Sequence, residues 1–117
     1  ALPISLSQVA RAIEYQDTHS LGDVVRAIID GEAQHWRGER SEIITEIKSF
    51  PMMKVCRVWL AGGDMTELVD VMLPDVEAWA KENGCARVEI VGRKGWKRAL
   101  PNYREPYAVL HKELDHG

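Results

Sequence analysis

The chain has 117 residues, enough for one domain around one hydrophobic core, because typical domains hold roughly 100–150 residues. Hydrophobic residues make up 45% and charged residues 28%, and no apolar run approaches the ~18 residues of a membrane-spanning helix, which excludes a helical membrane protein. Lysine and arginine total 15 against 18 aspartates and glutamates, and the net charge of −3 argues against a protein whose main task is gripping nucleic acid.

Ala1-Leu2-Pro3 leads straight into polar residues, without the basic start and apolar core of a signal peptide. The expectation is a protein used without export, its initiator methionine removed before Ala1. Ser5-Leu6-Ser7-Gln8 has the S-x-x-Q form in which two side chains satisfy orphan helix amides, and Val9, Ala12 and Ile13 then keep helical spacing. A short helix over residues 5–15 follows. After Asp17-Thr18-His19, Ser20 offers a second cap, and Val24, Val25, Ile28, Ile29 and Ala33 form a stripe running towards Trp36. Gly31 weakens this second helix and Gly38 ends it.

From Ser41 the period becomes alternating, with Ile43, Thr45 and Ile47 opposite Ile44, Glu46 and Lys48, as in a half-buried strand. Ser49-Phe50-Pro51 turns the chain, and residues 53–60 read as a second strand, so the pair is an antiparallel hairpin. Ala61-Gly62-Gly63 breaks that strand. Asp64, with Glu67 three positions on, opens a helix whose Leu68, Met72, Val76 and Trp79 share a face. Pro74 in its interior predicts either a kink or a regular part that begins near Leu73.

Asn83-Gly84 stops the helix, and residues 85–91 form the next strand, completing a strand-helix-strand crossover whose strands lie parallel. Residues 92–100 read as a loop and about two helical turns before Pro101, and residues 105–114 as a last strand, with Pro106 marking it as an edge. The expected fold is a single α/β domain over residues 1–117, in the order α-α-β-β-α-β-α-β. Cys56 and Cys85 lie in or beside apolar stretches and read as reduced core thiols.

Two features carry candidate chemistry. Gly62-Gly63, between a strand and a helix, places backbone amides where an anionic group binds, although the pattern is neither GxGxxG nor GxxxxGK[ST]. The alternative is a tight turn capped by Asp64. Arg93-Lys94-Gly95-Trp96-Lys97-Arg98 sets four cations around one tryptophan and suits a phosphate, a nucleic-acid backbone or an acidic partner. Its alternative is a solvated helix face over a buried Trp96. His19, His35, His111 and His116 show no metal-ligand spacing, so no metal site is expected, and no serine or cysteine has a recognisable nucleophile context. Tyr103 and Tyr107 serve as acids only where a substrate thiolate comes near, and otherwise pack in the core or at its rim.

The hairpin, the break, the capped helix, the next strand, then Gly92-Arg93-Lys94-Gly95-Trp96 and Tyr107-Ala108-Val109-Leu110, resemble the GNAT fold of N-acetyltransferases in order of elements from residue 5 to 114. That fold has a mixed sheet with helices on both faces. Residues 84–114 are similar, more narrowly, to short GNAT-like proteins of tailed phages and prophages. The resemblance implies that residues 56–60, with Trp59 and Leu60, face a pantetheine arm. It also implies that the turn from Ala61 to Thr66, with Gly62 and Gly63, receives the pyrophosphate, that Arg93 or Lys94 supplies positive charge, and that Tyr103 is the acid. The turn departs from the family pattern: its glycines are adjacent, no Arg or Gln leads them, and Asp64 faces the diphosphate. At about 4 Å and an effective dielectric of about 20, that repulsion is on the order of 4 kcal/mol.

Three readings follow. The first is a virion structural or assembly protein with a degenerate acyl-CoA site and no cofactor, found in the virion or the host cytoplasm. It would contact other virion proteins in several copies, through Arg93, Lys94, Trp96, Lys97 and Arg98 or the tail from His111. The second is an active N-acetyltransferase using acetyl-CoA. The third is a small nucleic-acid-binding module centred on the basic cluster.

Overall fold

A computed structural model describes residues 6–92 and 96–115. It is a mixed α/β structure whose four-stranded sheet has the order β1-β2-β3-β4. Helix α1 (Ala10–Gln16) starts at Val9 without a side-chain cap, and Ser5 of the expected capping box lies outside the described residues. Helix α2 (Leu21–Ile29) has the cap that its sequence announces: the Ser20 hydroxyl accepts from the Asp23 amide while Asp23 accepts from the Ser20 amide.

The expected stripe is helical through Ile29 but not beyond it, towards Trp36. Helix α2 closes at Ile29, where the amides of Glu32 and Ala33 both turn back to the Ala27 carbonyl, and Gln34–Arg37 forms a strand, β1. Strand β1 pairs antiparallel with β2 (Glu42–Ser49), with Trp36 opposite Ile43. Its stabilising contacts are distant in sequence: the Trp36 indole donates to Thr45 Oγ1 at 3.0 Å and meets Trp79 edge-on at 5.5 Å. Helical spacing of apolar residues is no guide to such partners.

The expected hairpin is present, with Phe50 and Met53 exchanging backbone hydrogen bonds at its turn. Strand β3 (Lys54–Gly62) continues through Ala61 and Gly62, where the sequence predicts a break. Its register carries a bulge. Ile44 pairs with Leu60 and Thr45 with Val58, so Trp59 is the extra residue between them. The helical run after Asp64 comprises α3 (Met65–Glu67), a π-helical turn (Leu68–Met72) and α4 (Leu73–Glu82). Pro74 accounts for this: lacking an amide hydrogen, it sits in the first turn of α4, and the Leu73 amide reaches the Leu68 carbonyl, one residue further back than in an α-helix.

Strand β4 (Cys85–Ile90) runs parallel to β3, as the crossover demands. One helical turn, α5 (Trp96–Ala99), follows. Residues 105–114, expected as a closing strand, form neither helix nor strand, and their large apolar side chains are exposed. Their composition suits a strand, but nothing in the described chain pairs with them.

Two hydrophobic clusters hold these elements. Ile43, Cys56 and Val58 pack with Leu68, Met72, Leu73, Val76 and Ala80 in the first, which Leu100 closes. Ile44, Trp59 and Leu60 pack with Leu6, Val9 and Val24 in the second. No helix of the described residues is long and apolar enough to cross a membrane.

Cys56 and Cys85 are not joined to each other; Cys56 is buried in the first cluster as expected, whereas Cys85 is half-buried at its rim. Burial, and then the neighbouring Cys85, push the Cys56 thiol up from 9.0 to about 11. The native state therefore holds this proton more tightly than the unfolded chain. The contribution of this thiol to stability is full below pH 9 and is lost as the pH rises towards 11. Between pH 9 and 10 Tm is expected to fall in the natural protein and to fall less steeply in Cys56→Ala, both proteins sharing the same tyrosines. Equal slopes in thermal melts of the two would refute this account.

Candidate functional site

The Gly62-Gly63 turn is built from two close backbone crossings. A side chain at Gly62 would place its Cβ 1.7 Å from the Gln8 carbonyl oxygen, because the segment leading into α1 lies across the end of β3. Gly63 has φ of +118°, and a Cβ there would stand 2.3 Å from the Arg40 carbonyl oxygen and 2.6 Å from Ser41 Cα. Each glycine thus answers a different neighbour.

Two amides beyond the turn, those of Asp64 and Glu67, are also engaged. The Asp64 amide donates to Ser41 Oγ at 2.9 Å, and the Ser41 hydroxyl donates to the Asp64 carbonyl at 3.2 Å. Asp64 Oδ1 accepts from the Glu67 amide at 2.9 Å. A capping box would send Glu67 back to the Asp64 amide. Instead its carboxylate reaches the β1–β2 loop and accepts from the amides of Glu39 at 2.7 Å and Arg40 at 2.9 Å. Ser41 and Glu67 do not stand out as site residues in the sequence, where only the Asp64-to-Glu67 spacing hints at them.

The other candidate residues are dispersed. Trp59 and Leu60 are buried in the second cluster, whereas Ala61 and Tyr103 pack against the first. The Tyr103 hydroxyl donates to Glu77 at 2.6 Å; burial first, then Glu77, push its phenol well above the ordinary tyrosine range. Trp96 is half-buried against the first cluster and lies over Gly92, while Lys97 donates to the Tyr103 carbonyl at 2.8 Å and Arg98 is exposed. Arg93 and Lys94 lie outside the described residues. Among the described residues, no three His, Cys, Asp or Glu side chains converge as a metal site would require.

A cleft of about 500 Å³ opens beside Trp59, lined by His19, Arg26, Glu46, Arg57 and Val91 among others. It adjoins the place where β3 and β4 part: their last pair is Val58 with Ile90, and β3 continues through residues 59–62 with β2 as its remaining neighbour. The Trp59 carbonyl at the bulge accepts from the Gln16 side chain at 2.7 Å, and His19 meets the indole edge-on at 4.9 Å.

The fold is similar to that of TTHA1254 from Thermus thermophilus. A variant of that protein with one isoleucine replaced by methionine is 17% identical over 85% of this chain and 83% of its own, with a TM-score of 0.63. Its wild type gives 16% identity, 84% and 81% coverage and a TM-score of 0.56. At such identities the likeness concerns the fold alone. No protein-family model matches the chain, and no curated protein matches it in sequence.

Anions find little room at the turn. Asp64 and Glu67 stand at its helix N-terminus, and the amides of residues 39, 40, 64 and 67 already have oxygen partners. The Ser41 hydroxyl, followed by the Arg40 amide, holds the Glu67 carboxyl below its ordinary 4.5.

Two expectations follow. Gly62→Ala should lower the free energy of unfolding by at least about 2 kcal/mol in a denaturant titration, because the new Cβ meets backbone instead of a movable side chain. Glu67→Gln should lower Tm near neutral pH. Since the folded pKa of Glu67 is depressed, its contribution is present above pH 4.5 and is lost as the pH falls through the folded value. The gap in Tm between the two proteins should therefore narrow in acid, and a gap independent of pH would refute the assignment.

Proposed function

We propose that the chain is a GNAT-like domain acting as a multi-copy structural or assembly protein of the phage or prophage type, without turnover of acyl-CoA. The single observation behind the non-catalytic part is the occupied turn after Gly63. Bound acetyl-CoA needs free amides for its pyrophosphate, and here Ser41, Asp64 and Glu67 take that role. These partners, with the Asp64 and Glu67 carboxylates at the helix N-terminus, make the turn a poor fit for the cofactor. The GNAT-like arrangement, with helices on both faces of the sheet, is supported by the parallel β3–β4 pair, by the bulge at Trp59, and by the division of Ile43 and its neighbour Ile44 between two clusters. The phage or prophage assignment, with its virion or host-cytoplasm location and virion-protein partners, rests on the resemblance of residues 84–114.

One observation favours the second reading, an active N-acetyltransferase: the cleft beside Trp59, where the strands part, has the size of a small-molecule site. In that reading Tyr103 is the acid, but its hydroxyl proton is directed at Glu77 and its ring packs with the first cluster. The nucleic-acid reading gains no support from Lys97, whose ammonium is bound to the Tyr103 carbonyl.

Isothermal calorimetry with acetyl-CoA separates the first two readings. The natural protein should give no heat of binding, and neither should Asp64→Asn, which removes the charge and keeps a capping oxygen. Micromolar binding by the natural protein would overturn the structural reading.

A further inference from the structure

Strand β4 pairs only with β3, so among the described residues its outer edge is open. Such an edge offers unpaired amides and carbonyls to any extended chain. Among the described residues, the densest run of exposed large apolar side chains in sequence is the tail, which reaches this strand through Tyr107. Tyr107 is 64% exposed, Val109 85%, Leu110 93% and Leu114 70%, all within residues 107–114. Single exposed apolar residues are ordinary, but a contiguous group marks a contact surface.

The path of the chain places the two together. Tyr103 is fixed at both ends, its phenol on Glu77 and its carbonyl on Lys97. The tail then leaves past β4, where Tyr107 touches Glu89 at 3.5 Å, its side chain reaching the strand without any ladder forming. Strand β4 has six residues, and residues 107–112, of the same number, span ~20 Å when extended.

We infer that residues 107–112 of one copy add as a strand to the open edge of β4 in a second copy, and that the exchange is reciprocal. A strand at that edge would alternate Tyr107, Val109 and His111 with Ala108, Leu110 and Lys112. Each set brings a large apolar side chain beside β4, whose Val88 and Ile90 are only half-buried. Two equal additions related by a twofold axis close the assembly as a dimer and leave neither β4 edge open. This inference rests on the multi-copy assembly reading and deepens it by naming one partner, the chain itself.

The test is light scattering on eluted size-exclusion peaks over a dilution series of the full chain, of a chain ending at Arg104, and of Leu110→Pro. Both variants keep Tyr103 and its bonds, so thermal melts should show the same fold in all three. The full chain should be a dimer that dissociates on dilution, the shortened chain a monomer, and Leu110→Pro weakened at least about tenfold by loss of a ladder donor. A monomeric full chain at its highest soluble concentration would overturn the inference. So would a dimer that survives removal of the tail, or a monomer whose amides at 107–112 are protected from exchange, since the tail would then pair within its own chain. None of these outcomes depends on whether acetyl-CoA binds.

Discussion

The structure turns on the crossing of the Gln8 backbone over Gly62. Its carbonyl lies where a side chain at 62 would be, and its amide donates to Glu42 at 2.7 Å. Glu42 is the residue paired with Gly62 across the sheet, so both contacts belong to one point of the fold. Glu42 is 3% exposed, and its carboxylate also bonds His35 Nε2 at 2.7 Å, which brings β1 to the same place. A buried carboxylate without such partners would be costly, and here each partner comes from a different element. The amino-terminal segment, β1, β2 and β3 are thereby held in one arrangement.

This crossing also explains why the adjacent glycines are ambiguous in the sequence. A strand ending in Gly-Gly before a capped helix suits a phosphate cradle, because small residues admit an anion to backbone amides. It equally suits a chain passing over another chain. What decides between them lies at residues 8, 39, 40 and 41, more than twenty positions away, and no local pattern encodes it. The short-range signals read true: the Ser20 cap, the turn at Ser49-Phe50-Pro51, the Asp64 cap, and the proline that fixes where α4 begins.

The misread elements share a physical cause. Residues 34–37 carry apolar spacing that continues the stripe of α2, and they become a strand because Trp36 finds Thr45 and Trp79. Residues 105–114 have strand-like composition but form no ladder with any described strand, although they pass the open edge of β4. In both cases propensity is a weak prior and a tertiary partner, present or missing, decides the outcome. Glu67 is similar: its helix position suggests a local cap, and its bonds go to a loop.

Charge on the sheet shows what remains open. Glu46, Arg57 and Glu89 lie directly opposite one another on β2, β3 and β4, and Arg87 bonds Glu89 at 3.0 Å. The Arg57 contacts to Glu46 and Glu89 are each 3.9 Å, too long for hydrogen bonds, and its buried Nε has no partner. Partly exposed pairs at this distance contribute little to stability. The row instead keeps this part of the sheet polar beyond the apolar ground of Trp59 and Leu60, and the cleft sits at that boundary. Exposed large apolar side chains are closest together in sequence along the tail, which reaches β4 through Tyr107, and an open strand edge next to an apolar extended segment is the pairing by which sheets most readily join chains.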